Sequence, residues 1–404
     1  MENNNDNKVL NVPHLRFPEF SGEWKKHSLG EIGETIIGLT YKPSDVVDNN
    51  GIIVFRSSNI KNGMIDYSDL VRVNKHIKDK IITKENDILV CARNGSQRLI
   101  GKNAIIKQED ANNTFGAFMM VYRANDNPFI LPLLSTKKYF SQVGENLGAR
   151  INQITTSDFN GFEFYFPENH AERTKIAELF RLLDERIATQ NKIIEDLKKL
   201  KSAIIEKTFN ENYSNKIRLR DVGSYIRGLT YSSDDVVESN GIFVMRSNNI
   251  INGSSLDYHN NIVSVNKQIL TEQQLQTGDI VICMANGSSS LVGKSSFYDG
   301  DCSTPITVGA FCGIYRSKEP IVKWLFQTNK YRRYIWNSLQ GGNGAIANLN
   351  GDDILRMSFS IPATPAKDNR IKLLTSVDTL LESNISLCDL YISQKLYLLR
   401  QMFI

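Results

Sequence analysis

The sequence predicts an α+β fold in which two duplicated globular α/β domains are separated by two long antiparallel coiled-coil helices, in a pseudo-two-fold arrangement. Three observations predict it. The stretch "GLTYKPSDVVDNNGIIVFRSSNI", Gly38 to Ile60, returns as "GLTYSSDDVVESNGIFVMRSNNI", Gly228 to Ile250, at an offset of 190 (228 − 38). Each copy is followed by a Lys-, Glu-, Leu- and Ile-rich segment whose apolar residues recur at alternating spacings of four and three, the seam of a coiled coil. And 404 residues exceed what one hydrophobic core usually supports.

Residues 1–167 form the first predicted domain. Its β-branched runs "GIIVFRS", "NDILVCA" and "FMMVYR" are separated by Asn50-Gly51, Asn62-Gly63 and Asn94-Gly95, a pattern of short strands and turns. The domain closes at "FEFYFP", ending with Pro167. A long helix follows over 168–209, with no Gly or Pro from Ala171 to Phe209. Its seam reads Ile176, Phe180, Leu183, Ile187, Gln190, Ile194, Leu197 and Lys201.

The second domain, 210–362, repeats the first. "NDILVCARNGSQRLIGK" (Asn86 to Lys102) returns as "GDIVICMANGSSSLVGK" (Gly278 to Lys294), and "GAFMMVYR" (Gly116 to Arg123) as "GAFCGIYR" (Gly309 to Arg316), with the offset reaching 193 (309 − 116). A unit this long is a duplicated domain rather than a solenoid repeat. The last segment, 363–404, repeats the seam 194 residues on (374 − 180), through Leu374, Val377, Leu381, Asn384, Cys388, Tyr391, Lys395 and Leu398. The polar breaks Gln190 and Lys201 recur as Asn384 and Lys395. Antiparallel pairing would set Gln190 opposite Lys395 and Lys201 opposite Asn384 as register-fixing contacts; the alternative leaves all four in solvent.

Composition narrows the function classes. Hydrophobic content of 41% with 23% charged residues is that of a globular chain, and a net charge of +4 permits a nucleic-acid partner without demanding one. There is no apolar run of eighteen residues and no signal-peptide core, so a soluble, cytoplasmic protein without a membrane partner is expected. The five cysteines show no CxxC spacing and the five histidines no HxxxH, so no metal is expected; Cys91 and Cys283 read as core residues of matching strands.

Two related heads at a fixed separation suit a long, repetitive ligand, and duplex DNA presents equivalent groove faces about 34 Å apart. The polar side chains beside the turns are of the types that read base edges or hold phosphates. In the first domain these are Arg56, Asn59, Lys61, Arg93, Asn94, Ser96, Gln97, Arg98, Lys102, Arg150, Asn152 and Gln153. In the second they are Arg246, Asn248, Asn249, Asn286, Ser288, Ser289, Ser290, Lys294, Asn348 and Asn350, with Lys330, Arg332 and Arg333 in "NKYRRYIW" for phosphates. Each is weighed against plain solvated surface. Where the repeats differ, Arg93 and Arg98 give way to Ala285 and to Leu291 or a neighbouring serine, as expected for two unequal half-sites.

The opening "VPHLRFPEFSGEWKKHSLGEI" (Val12 to Ile32), the twin "GDIL"- and "IGK"-like stretches and the helix beginning "ERTKIAELFRLLDERI" resemble the specificity subunits of type I restriction–modification systems. The resemblance runs over essentially the whole chain and rests on the order and duplication of individually loose motifs. It implies that each globe is a target recognition domain and that the pair reads a bipartite DNA site with an unread spacer set by the helices. It implies as partners two modification subunits, which methylate adenine with S-adenosylmethionine, and motor-nuclease restriction subunits. This chain would hold no cofactor and catalyse nothing; S-adenosylmethionine and ATP belong to the partners. The likeness of the two globes predicts half-sites that are partly inverted repeats.

Catalytic readings fare worse. "GSSSLVGKS" (Gly287 to Ser295) suggests a phosphate-binding loop, but five residues rather than four precede Gly293-Lys294, and the first copy has Asn103 where the hydroxyl belongs. "NDNPFI" lacks the second proline of an amino-methyltransferase motif. A protein-binding coiled-coil scaffold remains as the alternative, distinguished by having no salt-dependent DNA binding. Three tryptophans are few for a carbohydrate-binding repeat.

Overall fold

The computed structural model describes residues 11–147, 152–209, 213–339 and 347–404. It divides into two compact units, Met1–Asn191 with Ser386–Ile404, and Lys192–Ile385. The division passes through both long helices, His170–Phe209 and Ala366–Met402, so that each unit holds part of each.

The first unit is built on two four-stranded sheets. One runs in the order Glu34–Ile37, Met119–Arg123, Ile88–Cys91, Asn103–Ile105, all antiparallel. The other runs Thr114–Phe115, Ile52–Phe55, Arg72–Val73, Val46–Val47, with its first pair parallel. The apolar runs seen in the sequence are these strands, buried because both faces are covered. Asn62 and Gly63 both take positive φ, 52° and 75°, and form the two-residue turn joining Ile60–Lys61 to Met64–Ile65. Asn94-Gly95 makes no such hairpin; its asparagine organises a loop, as described below.

The second unit repeats this plan. Gly223–Arg227, Cys312–Ser317, Ile280–Cys283 and Ser295–Phe297 form one sheet, and Val236–Val237, Val263–Val265, Ile242–Met245 and Ile306–Val308 the other. Even the registers correspond: Val121 opposes Leu89, and Ile314 opposes Val281. Cys91 and Cys283 are fully buried, as core residues. Gly38 and Gly228 explain the repeated "GLTY": a Cβ at either would stand 2.2 Å from the carbonyl oxygen of Gly116 or Gly309, so only glycine permits the approach.

Inside each unit the helix segments run antiparallel. In the first, Phe180 meets Phe403, Asp184 meets Lys395, Arg186 stacks on Tyr391 and Asn191 meets Cys388. In the second, Lys201 meets Asp378, and Ile205, Phe209 and Leu374 share one core. All sixteen seam residues are buried or half-buried, so none stands out in solvent. The two seam lysines, however, take aspartates as partners, at positions outside the seam as read from the sequence: Lys395 pairs with Asp184 at 2.5 Å and Lys201 with Asp378 at 2.6 Å. A carboxylate returns more of the desolvation cost of a half-buried ammonium than an amide can, which is the physical reason for the different choice. These two pairs correspond across the repeat, since both partners shift by 194 (378 − 184 and 395 − 201) while exchanging helices.

Candidate nucleic-acid interface

In the first unit the loops after several strands enclose a cleft of about 810 Å³, lined by residues 39–41, 56–58, 93–95, 116–119 and Asn152. Asn94 holds the cleft together. Its Nδ2 donates to Ser57 Oγ at 2.9 Å, and its Oδ1 accepts from the Ser96 amide at 3.0 Å. Asn152 Nδ2 donates to the Gly95 carbonyl at 2.8 Å, and Gln153 pairs with Arg93 in a single antiparallel bridge. The amides of Ala92 and Arg93 both donate to the Phe118 carbonyl, at 3.0 Å each.

The second unit carries the same connections. Asn286 Nδ2 reaches Ser247 Oγ at 3.3 Å and its Oδ1 accepts from Ser288 at 3.0 Å. Met284 and Ala285 donate to the Phe311 carbonyl, and Ala285 pairs with Asn348. The short turns Gln97–Leu99 and Ser289–Leu291 correspond, so the counterpart of Arg98 is Ser290, not Leu291.

Several residues expected at the interface are occupied elsewhere. Asn59 and Asn249 are fully buried: each accepts from the amide of Arg56 or Arg246 and donates to two carbonyls, Asp66 and Asp69 in one unit, Asp257 and Asn260 in the other. They shape the loop and present no edge to a ligand. Lys61 is paired with Asp66 at 2.9 Å. The Ser68 hydroxyl and that ammonium hold the Asp66 carboxyl down at about 2. Asn350 is a helix cap, accepting from the Asp353 amide at 3.0 Å. Lys294 leads into the strand Ser295–Phe297, where a phosphate-binding loop would open a helix.

Others remain available. Gln97 and Arg98 are exposed on their turn, as are Ser288, Ser289 and Ser290 on the matching one, with Ser288 and Ser290 bonded to each other at 2.8 Å. Arg246, Asn248, Gln153 and Asn348 are exposed, while Ser96, Lys102 and Lys294 are half-buried. Arg56 lines the cleft and binds Asp69 at 2.8 Å. Arg332 and Arg333 project from the helix Asn329–Leu339 beside the exposed Trp336, and Lys330 lies over Phe359. Arg150 lies outside the described residues.

Phe118 and Phe311 were missed by the sequence reading, which placed Phe118 in the strand run "FMMVYR" and noted Phe311 only as part of the repeat. The strands begin one residue later, at Met119 and Cys312, leaving the rings 59% and 68% exposed. The available signal was the exact recurrence of "GAF" in both repeats. Among the described residues no group of His, Cys, Asp and Glu lies together as metal ligands would, and no helix is long and apolar enough to cross a membrane.

Residues 21–199 match the family model of the type I restriction modification DNA specificity domain. This segment of the chain is therefore similar to that DNA specificity domain. The matched segment covers the sheets of the first unit and ends within the first long helix; the second unit follows as its internal repeat. The specificity subunit of the type I restriction enzyme EcoKI, from Escherichia coli K12, is 25% identical over 294 residues, covering 67% of this chain and 63% of the relative, less than two thirds of its length. The StySPI specificity subunit of Salmonella potsdam is 23% identical over 370 residues, covering 84% of this chain and 78% of the relative. The fold resembles the crystal structure of a type I restriction–modification S subunit from M. genitalium, with a TM-score of 0.60 and 16% identity over 97% of this chain and 99% of that one.

Proposed function

We propose that this chain is a non-catalytic, sequence-specific reader of double-stranded DNA, whose two units each take one half of a bipartite target with an unread spacer between them. It directs modification subunits, which methylate adenine with S-adenosylmethionine, and ATP-driven restriction subunits to that target, and holds neither cofactor itself. The observation that carries this reading is a duplicated loop frame with altered tips. Asn94 and Asn286 anchor matching loops, while Arg93 and Arg98 in one unit stand where Ala285 and Ser290 stand in the other. A conserved frame with two sets of contact residues fits half-sites that are related but unequal, and so partly inverted repeats.

Methylome sequencing of a host expressing the chain with its modification subunit, against a deletion, tests it. One bipartite N6-methyladenine motif that vanishes on deletion is expected. No change in methylation, with the modification subunit shown to be active, and no salt-dependent binding to duplex DNA would favour a protein-binding scaffold instead.

A further inference from the structure

We propose that Arg93 is the residue by which the first unit tells its half-site from that of the second, by donating to O6 and N7 of a guanine in the major groove. The assignment rests on the DNA-reading function proposed above and names one of its specificity determinants. Three observations meet at this side chain.

First, the guanidinium is held in place from below. Its central carbon stands 5.1 Å from the centroid of the Phe118 ring, itself 59% exposed at the cleft. The Arg93 amide donates to the Phe118 carbonyl at 3.0 Å, and its backbone bridges to Gln153, so stem and ring are fixed by the same loops. Stacking restrains the plane of the fork, which reduces the rotamer freedom lost on binding.

Second, none of its side-chain donors is taken by another group among the described residues. Arg56, Arg123 and Arg316 each bind an aspartate, at 2.8 Å, 2.7 Å and 2.6 Å. No carboxylate among the described residues takes the Arg93 guanidinium in an ion pair. A planar fork that is stacked, unpaired and set in a cleft beside Asn94 is the arrangement that reads a guanine edge with two parallel hydrogen bonds.

Third, the second unit lacks it on an otherwise matching frame. Ala285 occupies the position and is buried, with the same amide-to-carbonyl bond to Phe311. The uncovered Phe311 ring is correspondingly more exposed, at 68%. The two loop frames therefore share their anchoring asparagine, serine and phenylalanine, and the first carries at Arg93 a cationic fork that the second lacks.

The test is the methylome of a host carrying the full chain and its modification subunit, with the wild type compared to Arg93→Ala and Arg93→Lys. Arg93→Ala is expected to relax one base pair in one half-site, a G·C pair in the wild-type motif, with discrimination falling roughly ten- to a hundred-fold while the other half-site is unchanged. Arg93→Lys keeps the charge and the aliphatic stem but not the bidentate geometry, and is expected to leave that position relaxed.

An unchanged motif in Arg93→Ala overturns the assignment, as does relaxation at a position without guanine or a uniform fall in methylation with the motif intact. If Arg93→Ala does not fold, Arg93→Lys decides: full discrimination there overturns the bidentate reading. A wild-type chain that directs no methylation refutes the proposed function, and this assignment with it. A clear wild-type motif that both Arg93 variants preserve refutes the assignment alone.

Discussion

The two units contain one contact in two environments. Lys395–Asp184 in the first and Lys201–Asp378 in the second occupy equivalent places in the repeat. Yet the side chains of the first pair are 20% and 41% exposed, and those of the second 8% and 7%. The second pair is joined by Lys323, which reaches Asp378 at 2.8 Å, and Lys201 also donates to the Gly253 carbonyl at 2.7 Å. Leu131 stands where Lys323 would be by the repeat (323 − 192). Duplication thus preserved a register-setting ion pair while burial decided its energetic weight.

Removing the acid should separate the two most sharply. Asp378→Ala strands a buried ammonium and is expected to destabilise the second unit by about 3–5 kcal/mol in denaturant unfolding. Asp184→Ala, at a half-exposed site, should cost under about 1 kcal/mol. Equal losses would break the comparison. The deficit should also depend on pH. Burial pulls the Lys201 ammonium below its usual 10.5, against the opposing pull of Asp378. Without Asp378 the folded state binds that proton still less tightly than the unfolded chain does, so stability rises with pH through the interval up to 10.5. The Asp378→Ala deficit should therefore narrow as pH rises from neutrality toward that value.

Where burial matches, the units should respond alike. Asp87 and Asp279 are each 2% exposed and each is bound by one arginine, Arg123 or Arg316. Either Arg→Ala change should cost about 3 kcal/mol, and a difference of more than about 1 kcal/mol between them would show that the sheets are not energetically equivalent. Asn59→Ala and Asn249→Ala each leave buried backbone groups unsatisfied and should cost about 1–3 kcal/mol, again nearly equally.

The smallest stability effects belong to the exposed rings. Phe118→Ala and Phe311→Ala should change unfolding free energy by no more than about 0.5 kcal/mol. A larger loss at either would mean that the ring supports the fold and is not part of a binding surface. Their effect should appear instead in binding to duplex DNA, measured by fluorescence anisotropy at fixed salt.

Much of the architecture was legible without coordinates. Repeats report themselves as recurrence, and a helix seam reports itself as spacing, because both are properties of the order of residues along the chain. So the duplication, the strands at Ile52–Phe55 and Ile88–Cys91 and the long helices all followed from pattern, whereas the burial of Gln190 and Lys201 was decided by folding. The interface was less legible. Asn59 and Arg93 look alike as polar residues beside turns, yet one is sealed in the loop by three hydrogen bonds and the other stacks open on Phe118.

What the sequence alone determined is therefore the plan: two copies of one domain, each followed by a helix with a one-sided seam. Tertiary structure decided which polar groups are spent and which are free. It gave the seam lysines to Asp184 and Asp378, turned Asn59 and Asn249 inward, and left Phe118 and Phe311 at the surface. The reason is physical: periodicity is a local property of the chain, whereas desolvation and hydrogen-bond partnership depend on groups brought together from distant positions by folding.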